Sequence, residues 1–295
     1  MPPRASVSQR GATAGNAAIC PSARPMRSGA ACARAGFADL AMIVNPMAEA
    51  TIVMIPARLR STRLPNKPLA EIGGVPMIVH VWRRACAAEV GPVIVACAER
   101  EIADAVDAYG GTSVMTEPDL PSGTDRIFQA LDRIDPKRRF ARVINLQGDL
   151  PTLDPAAIRS VLEPLDQLDT DIGTLAVATE DPAEKADPNV VKAVIAFDAA
   201  RSRLGRALYF TRATAPSGDG PVYHHIGIYA FRRAVLNRFA TLPPSPLEQR
   251  ERLEQLRALE TGITIGVALV DTSPLGVDTP DDLARVRREL ESRAV

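Results

Sequence analysis

The densest set of chemistry-bearing side chains stands between two prolines. In Pro56-Ala57-Arg58-Leu59-Arg60-Ser61-Thr62-Arg63-Leu64-Pro65-Asn66-Lys67-Pro68, four cations and two hydroxyls fall within residues 58–67. Guanidinium groups bind oxyanions through paired hydrogen bonds and a lysine ammonium acts as a compact point charge, so this segment can wrap a polyphosphate. A solvated basic loop is the plain alternative; the flanking prolines, which restrict the backbone, favour an anion site. An acidic counterpart follows 142–146, which reads as a buried strand and passes straight into Gln147-Gly148-Asp149-Leu150-Pro151. Asp149 there could hold Mg²⁺ against a phosphate or simply close a turn before Pro151. A second acid, Asp278, lies in Gly276-Val277-Asp278-Thr279-Pro280-Asp281, where its simplest role is to cap the last helix. Mg²⁺ takes one or two protein carboxylates and completes its octahedron with phosphates and water, so Asp149 and Asp278 would suffice.

Other residues carry weaker signals. Tyr223-His224-His225-Ile226-Gly227-Ile228-Tyr229-Ala230-Phe231 alternates with period two, which puts Tyr223, His225, Gly227 and Tyr229 on one face as a sugar-binding surface or half of an ordinary strand. His80, inside a helical run, reads as a packed helix residue. Ser122-Gly123-Thr124-Asp125-Arg126 and Tyr209-Phe210-Thr211-Arg212 each bring an arginine beside small or hydroxyl residues. Glu254 has an ordinary role available as the surface partner of Arg250, four residues earlier on the same expected helix.

These residues need a frame. From Thr51 onward β-branched runs alternate with amphipathic stretches, the pattern of an α/β fold with a mainly parallel mixed sheet flanked by helices. Strands are expected at 51–56, 93–98, 113–116, 142–146, 173–178, 190–197, 223–231 and 264–270, and helices at 77–89, 102–109, 125–134, 155–168, 246–259 and 280–291. Ser245-Pro246-Leu247-Glu248 and Asp278-Thr279-Pro280 mark the starts of the last two helices. In such folds ligands sit beyond the carboxyl ends of the strands, where the basic loop and Asp149 fall. Neither a G-x-G-x-x-G fingerprint nor a G-x-x-x-x-G-K-[ST] phosphate loop occurs, so a nucleotide site must be built another way.

Composition narrows the choices further. The chain has 295 residues, 35 Lys+Arg against 35 Asp+Glu, and no apolar run long enough to span a bilayer. Neither nucleic acid nor an anionic membrane surface is expected as a partner. Cys20, Cys32, Cys86 and Cys97 form no C-x-x-C pair and no zinc-type spacing, which suits a reducing compartment. Residues 1–48 are basic, rich in Ala and Ser, and poor in acids, so they are expected to be a dispensable extension, with a single catalytic domain at 49–295.

Taken together, the segments resemble the 3-deoxy-manno-octulosonate (Kdo) cytidylyltransferases. The resemblance runs from about Thr51 to Arg288 through Ile55-Pro56-Ala57-Arg58, Ser61-Thr62-Arg63-Leu64-Pro65, Lys67-Pro68, Ser122-Gly123-Thr124-Asp125-Arg126, Gln147-Gly148-Asp149, His225 with Gly227-Ile228-Tyr229, Leu253-Glu254-Gln255-Leu256-Arg257 and Gly276-Val277-Asp278-Thr279-Pro280. It implies a nucleotide-diphospho-sugar transferase-like fold, a cytoplasmic homodimer, and attack of the Kdo anomeric hydroxyl on the α-phosphate of CTP, giving CMP-Kdo for lipopolysaccharide and pyrophosphate. By the same resemblance Ala57, Arg58, Arg63, Lys67, Ser122 and Gly123 would bind CTP. Asp149 and Asp278 would hold Mg²⁺, and Arg126, Gln147, Arg212, His225, Tyr229 and Glu254 would grip the sugar. Lys67, Arg58, Asp149 and Asp278 would be the catalytic set, acting through charge and positioning. Leu150 stands where members often have Glu, and the 215–223 segment is shorter than in many members. Another acidic sugar, such as 8-amino-Kdo or a sialic acid, would use the same loop and acids. A catalytically silent binding protein would be expected to have lost Lys67, Asp149 or Asp278, and all three are present.

Overall fold

The computed structural model describes residues 50–61 and 63–292; the expected extension at 1–48, with Cys20 and Cys32, lies outside them. The first half of the chain builds β1 (Thr51–Ala57), a 3₁₀ turn at Lys67–Leu69, a small hairpin of β2 (Glu71–Ile72) and β3 (Val75–Pro76), α1 (Met77–Ala87), β4 (Val93–Cys97), α2 (Arg100–Ala108), β5 (Ser113–Met115), α3 (Gly123–Ile134) and β6 (Arg142–Leu146). The second half adds α4 (Pro155–Ser160), α5 (Glu163–Gln167), β7 (Ile172–Thr179), α6 (Pro182–Ala186), β8 (Lys192–Asp198), β9 (Arg201–Thr211), β10 (Val222–Arg232), α7 (Arg233–Phe239), α8 (Pro246–Glu251), α9 (Leu256–Glu260), β11 (Ile265–Leu269) and α10 (Pro280–Ser292). Among the described residues no helix is long and apolar enough to cross a membrane.

Nine strands form one sheet in the order β5-β4-β1-β6-β10-β7-β11-β9-β8. On the N-terminal side β5, β4, β1 and β6 are all parallel. Strand β10 enters antiparallel between β6 and β7, β11 runs parallel to β7, and β9 and β8 close the far edge antiparallel. Every residue of β1 is buried, as befits a central strand covered on both faces. Its alternation divides the core: Val53 and Ile55 join the layer with Val95, Ile144 and Ile158, while Ile52 and Met54 join Ile94, Ile127, Val143 and Phe210 on the other face. A third, small cluster of Ile72, Met77, Val277, Leu283 and Val286 clamps α10 onto the β2–β3 hairpin, and Arg287 donates to the Glu71 carbonyl. That clamp brings the chain before α10 alongside the basic loop.

Several elements differ from expectation for local reasons. The helix expected at 155–168 is split into α4 and α5, the latter starting with a proline in its first turn. The helix expected at 246–259 breaks at Arg252, whose φ of 57° ends α8 in a left-handed turn. Strand β9 was not expected; its first three residues are exposed and its middle carries Gly205, so it lacks a strand-like apolar face. Paired glycines seat α5 on the sheet: Gly173 and Gly266 are register partners, and a β-carbon on Gly173 would stand 2.2 Å from the Val161 carbonyl oxygen. Gly173→Ala should therefore destabilise the protein by about 1–3 kcal/mol, the usual cost of overpacking, while activity per folded molecule stays unchanged. A thermal melt beside a kinetic assay checks both.

Candidate active site

Strand β1 ends at Ala57 and releases the basic loop at the carboxyl edge of the parallel half-sheet. Beside it β6 ends at Leu146 and releases Gln147, Gly148 and Asp149. Gly148 leaves room there for the first loop, since a β-carbon would stand 3.0 Å from the Pro56 carbonyl oxygen and crowd it. The third contributor is the N-terminus of α3. Ser122 and Asp125 close a capping box, with Asp125 N–H donating to Ser122 Oγ at 3.1 Å and Ser122 N–H to Asp125 Oδ2 at 3.1 Å. The fourth is the chain before α10, tied to Asp149 by a Val277 N–H bond of 3.0 Å to the Asp149 carbonyl.

These pieces line an open cleft of about 690 Å³, walled by Ala57, Arg58, Arg60, Arg63, Lys67, Ser122, Gly123, Arg126, Gln147, Asp149 and Asp278. All six residues expected to bind the nucleotide and both expected metal ligands are thus brought together. Lys67 Nζ bridges the two acids, 2.8 Å from Asp149 Oδ2 and 3.0 Å from Asp278 Oδ1. Burial opposes the Lys67 charge, but Asp149 and Asp278 outweigh it and hold the ammonium above its ordinary range. Arg63 sits 3.0 Å from Asp278 Oδ2, and Leu59 N–H donates to Glu99 Oε2 at 2.9 Å, so the loop is fastened at both ends.

Asp278 does not cap α10, contrary to the simplest expectation. Asp282 N–H donates to Thr279 Oγ1 at 3.2 Å and Thr279 N–H donates to Asp282 Oδ2 at 2.9 Å, so Thr279 takes the cap. The Asp278 carboxylate is left facing the cleft. Leu150 packs against the core and lies 3.7 Å from where a β-carbon on Gly276 would stand, so it supports the Asp278 segment as an apolar contact.

The six residues expected to hold the sugar are divided. Arg126 and Gln147 line the cleft. Arg126 is only 2% exposed, and its guanidinium donates to Thr116 Oγ1 and to the carbonyls of Glu117 and Pro118 at 3.0 and 3.1 Å. Its partners are neutral oxygens, so a buried positive charge is presented to the cleft without a paired carboxylate among the described residues. Tyr229 and Glu254 line a separate, small cavity with Thr124, Phe231 and Phe239. Glu254 lies in the break between α8 and α9, so its nearest cation is Arg257, 4.0 Å away, and the expected Arg250 pairing does not form. Burial pushes the Glu254 carboxyl above its usual range, against the hydrogen bonds of Thr124 and Ser122 and the charge of Arg257. Burial likewise raises the Tyr229 phenol, helped by Glu254.

His225 and Arg212 line neither space. His225 is enclosed between Phe210 and Tyr229, with ring centroids 4.8 and 5.6 Å away, and its Nε2 is 2.9 Å from Thr174 Oγ1. Thr174 spends its hydroxyl proton on the Ile228 carbonyl at 2.8 Å, so His225 Nε2 is the protonated nitrogen and donates to Thr174. Burial, with His224 adding to it, lowers the His225 pKa to about 3, which keeps the ring neutral. Arg212 Nε donates to the Glu251 carbonyl at 2.9 Å and Nη1 to the Pro188 carbonyl at 3.0 Å, tying β9 to α8. Asn145 and Thr124 carried little signal in the sequence; an amide following Val143 and Ile144 in the expected strand 142–146 was the available mark of the first.

The chain as a whole is similar to several known proteins. The family described as Cytidylyltransferase matches residues 52–265. A 3-deoxy-manno-octulosonate cytidylyltransferase of Parvibaculum lavamentivorans is 61% identical over 244 residues, covering 83% of this chain and 94% of that protein. One of Paramagnetospirillum magneticum is 57% identical over 247 residues, covering 83% of this chain and all of the relative. Among solved structures, CMP:2-keto-3-deoxy-manno-octonic acid synthetase complexed with CTP superposes with a TM-score of 0.75 at 38% identity, covering 82% of this chain and 99% of the other. A nucleotidyl transferase from Methanothermobacter, with a TM-score of 0.54 at 16% identity over 83% of this chain and all of the other, shares the fold.

Proposed function

The chain belongs to the cytidylyltransferase family, among the 3-deoxy-manno-octulosonate cytidylyltransferases, and on that premise we propose that it transfers the cytidylyl group of CTP to the anomeric hydroxyl of Kdo. The hydroxyl oxygen bonds to the α-phosphorus, the bond to the β-phosphate oxygen breaks, and the products are CMP-Kdo, the activated sugar used for lipopolysaccharide, and pyrophosphate. The observation that carries this reading is the junction of a cationic loop, two convergent acids and a buried unpaired arginine around one cleft.

Arg58, Arg63 and Lys67 hold the triphosphate, with the N-terminus of α3 at Ser122 and Gly123 beside them adding its favourable dipole, the Ser122 N–H itself being taken by Asp125. Charge that builds on the α-phosphate and on leaving pyrophosphate is neutralised by cations already in place, so little reorganisation is needed during transfer. Arg126 pairs with the Kdo carboxylate, since its guanidinium is fixed by three oxygens and is the buried cation of the cleft wall. Gln147 contacts the sugar from the cleft wall, while Tyr229 and Glu254, in the separate small cavity, would meet only the part of the sugar that reaches into it. His225, enclosed between aromatic rings, and Arg212, tied to the Glu251 and Pro188 carbonyls, contribute by holding the surrounding structure.

The acids also fit Mg²⁺. Asp149 and Asp278 are hard oxygen donors converging on one point at the mouth of the phosphate cleft, now spanned by Lys67. No group of three or more potential metal ligands occurs among the described residues, so the substrate phosphates and water would have to complete the shell. When bound, the ion would supply positive charge at the phosphates. A cytoplasmic homodimer belongs to the same reading, and exposed Leu208, 51% accessible on β9, offers apolar surface for a second copy. Pyrophosphate release measured with CTP and, in turn, Kdo, 8-amino-Kdo and a sialic acid tests the substrate: Kdo should give the highest kcat/KM, and a clear preference for either of the others would replace the sugar assignment.

A further inference from the structure

A line of hydrogen bonds runs from the small cavity to the cleft wall, from Glu254 through Thr124 and Asn145 to Gln147. Thr124 Oγ1 lies 2.6 Å from Glu254 Oε2, Asn145 Nδ2 lies 3.3 Å from Thr124 Oγ1, and Gln147 Nε2 lies 3.3 Å from Asn145 Oδ1. Thr124 is 3% exposed and Asn145 is wholly buried, so neither has water to fall back on. The line has one direction. A carboxylate only accepts, so the single Thr124 proton is committed to Glu254. The Thr124 oxygen can then only accept, and Asn145 must turn its NH₂ toward it. This leaves Asn145 Oδ1 facing Gln147, which in turn must offer its own NH₂. The Gln147 carbonyl oxygen is thereby left on the open side, next to Gly123, where a β-carbon would stand 3.6 Å from it. Burial raises the Glu254 carboxyl, and the Thr124 bond with Arg257, 4.0 Å away, opposes that rise and favours the ionised form that starts the sequence.

We propose that Asn145 is a positioning residue: held through Thr124 by Glu254, it fixes the Gln147 amide so that a carbonyl oxygen faces the cleft and accepts from a hydroxyl of the acceptor sugar. A carbonyl there repels phosphate and carboxylate oxygens, so this part of the wall selects the hydroxyl-bearing end of the sugar and leaves the carboxylate to Arg126. The proposal rests on the reading that Gln147 contacts the sugar.

The test is a double-mutant cycle. Kinetics are measured with sugar varied at saturating CTP, then with CTP varied at saturating sugar, for Asn145→Leu, Asn145→Ser, Gln147→Ala and the two doubles. Leucine removes both polar ends, and serine is too short to span from Thr124 to Gln147. Each Asn145 variant should raise the sugar KM about 3- to 10-fold, the size of one neutral hydrogen bond, with the CTP KM within about 2-fold of wild type. In the Gln147→Ala background neither should raise it further. Should Asn145→Leu fail to fold, Asn145→Ser carries the comparison. A penalty that persists without the Gln147 side chain means Asn145 acts through the fold, and an unchanged sugar KM in the folded Asn145 variants also overturns the proposal. If Gln147→Ala itself keeps the wild-type sugar KM, the sugar-contact reading fails and takes the proposal with it. If Gln147→Ala raises the sugar KM but the Asn145 variants do not, the proposal alone fails.

Discussion

Asp149→Ala should lower kcat by at least about 10²-fold with the fold intact, the size of losing a fixed electrostatic group at the reacting centre. The carboxylate reaches Lys67 from a loop at the end of β6, and no part of the core rests on it. Its removal leaves the half-buried Lys67 ammonium with Asp278 alone and takes one of the two acids from the proposed metal position. Asp149→Asn should be nearly as damaging, since it keeps the shape and loses the charge. Circular dichroism and a thermal melt establish that the variants fold. Turnover within a few-fold of wild type at saturating Mg²⁺ would remove Asp149 from the catalytic set.

The second large effect is expected at Arg126. A lysine there keeps the charge but cannot reproduce a planar fork anchored on Thr116, Glu117 and Pro118. Losing a charge-assisted hydrogen bond costs about 1.5–3 kcal/mol, which corresponds to roughly 10- to 150-fold in kcat/KM for the sugar. The CTP KM should move little. Arg212→Lys provides the contrast, because Arg212 is engaged with the Glu251 and Pro188 carbonyls away from the cleft. It should lower the melting temperature more than it alters sugar kinetics. A reversal, with Arg212→Lys losing sugar affinity and Arg126→Lys keeping it, would transfer the acid-binding role to Arg212.

Why some of this was legible and some was not follows from particular residues. The basic loop and Asp149 could be read because each directly follows a short apolar run, and the carboxyl end of a parallel strand is where such folds place ligands. Asp278 was ambiguous because Asp278-Thr279-Pro280-Asp281-Asp282 contains two possible caps, and only the Thr279–Asp282 bonds show which is used. The alternation of β10 correctly set His225 and Tyr229 toward one side, but burial of His225 depends on Thr174 and Phe210, which arrive from other strands. The break that frees Glu254 left no mark, because Arg252 adopts a left-handed conformation without the Gly or Asn that normally announces one. Strand β9 was hidden by its arginines, two of which pair with acids, Arg201 with Asp198 and Arg203 with Asp271.

The central claim is that this cleft joins CTP to an acidic sugar through the α-phosphate. Phosphorus NMR of the protein with CTP, Kdo and Mg²⁺ tests it most directly. The account predicts that the triphosphate signals give way to pyrophosphate and a single CMP-Kdo phosphodiester in one-to-one ratio, and that neither product forms when Kdo is replaced by a neutral hexose. Release of inorganic phosphate in place of pyrophosphate, or pyrophosphate without the phosphodiester, would contradict it.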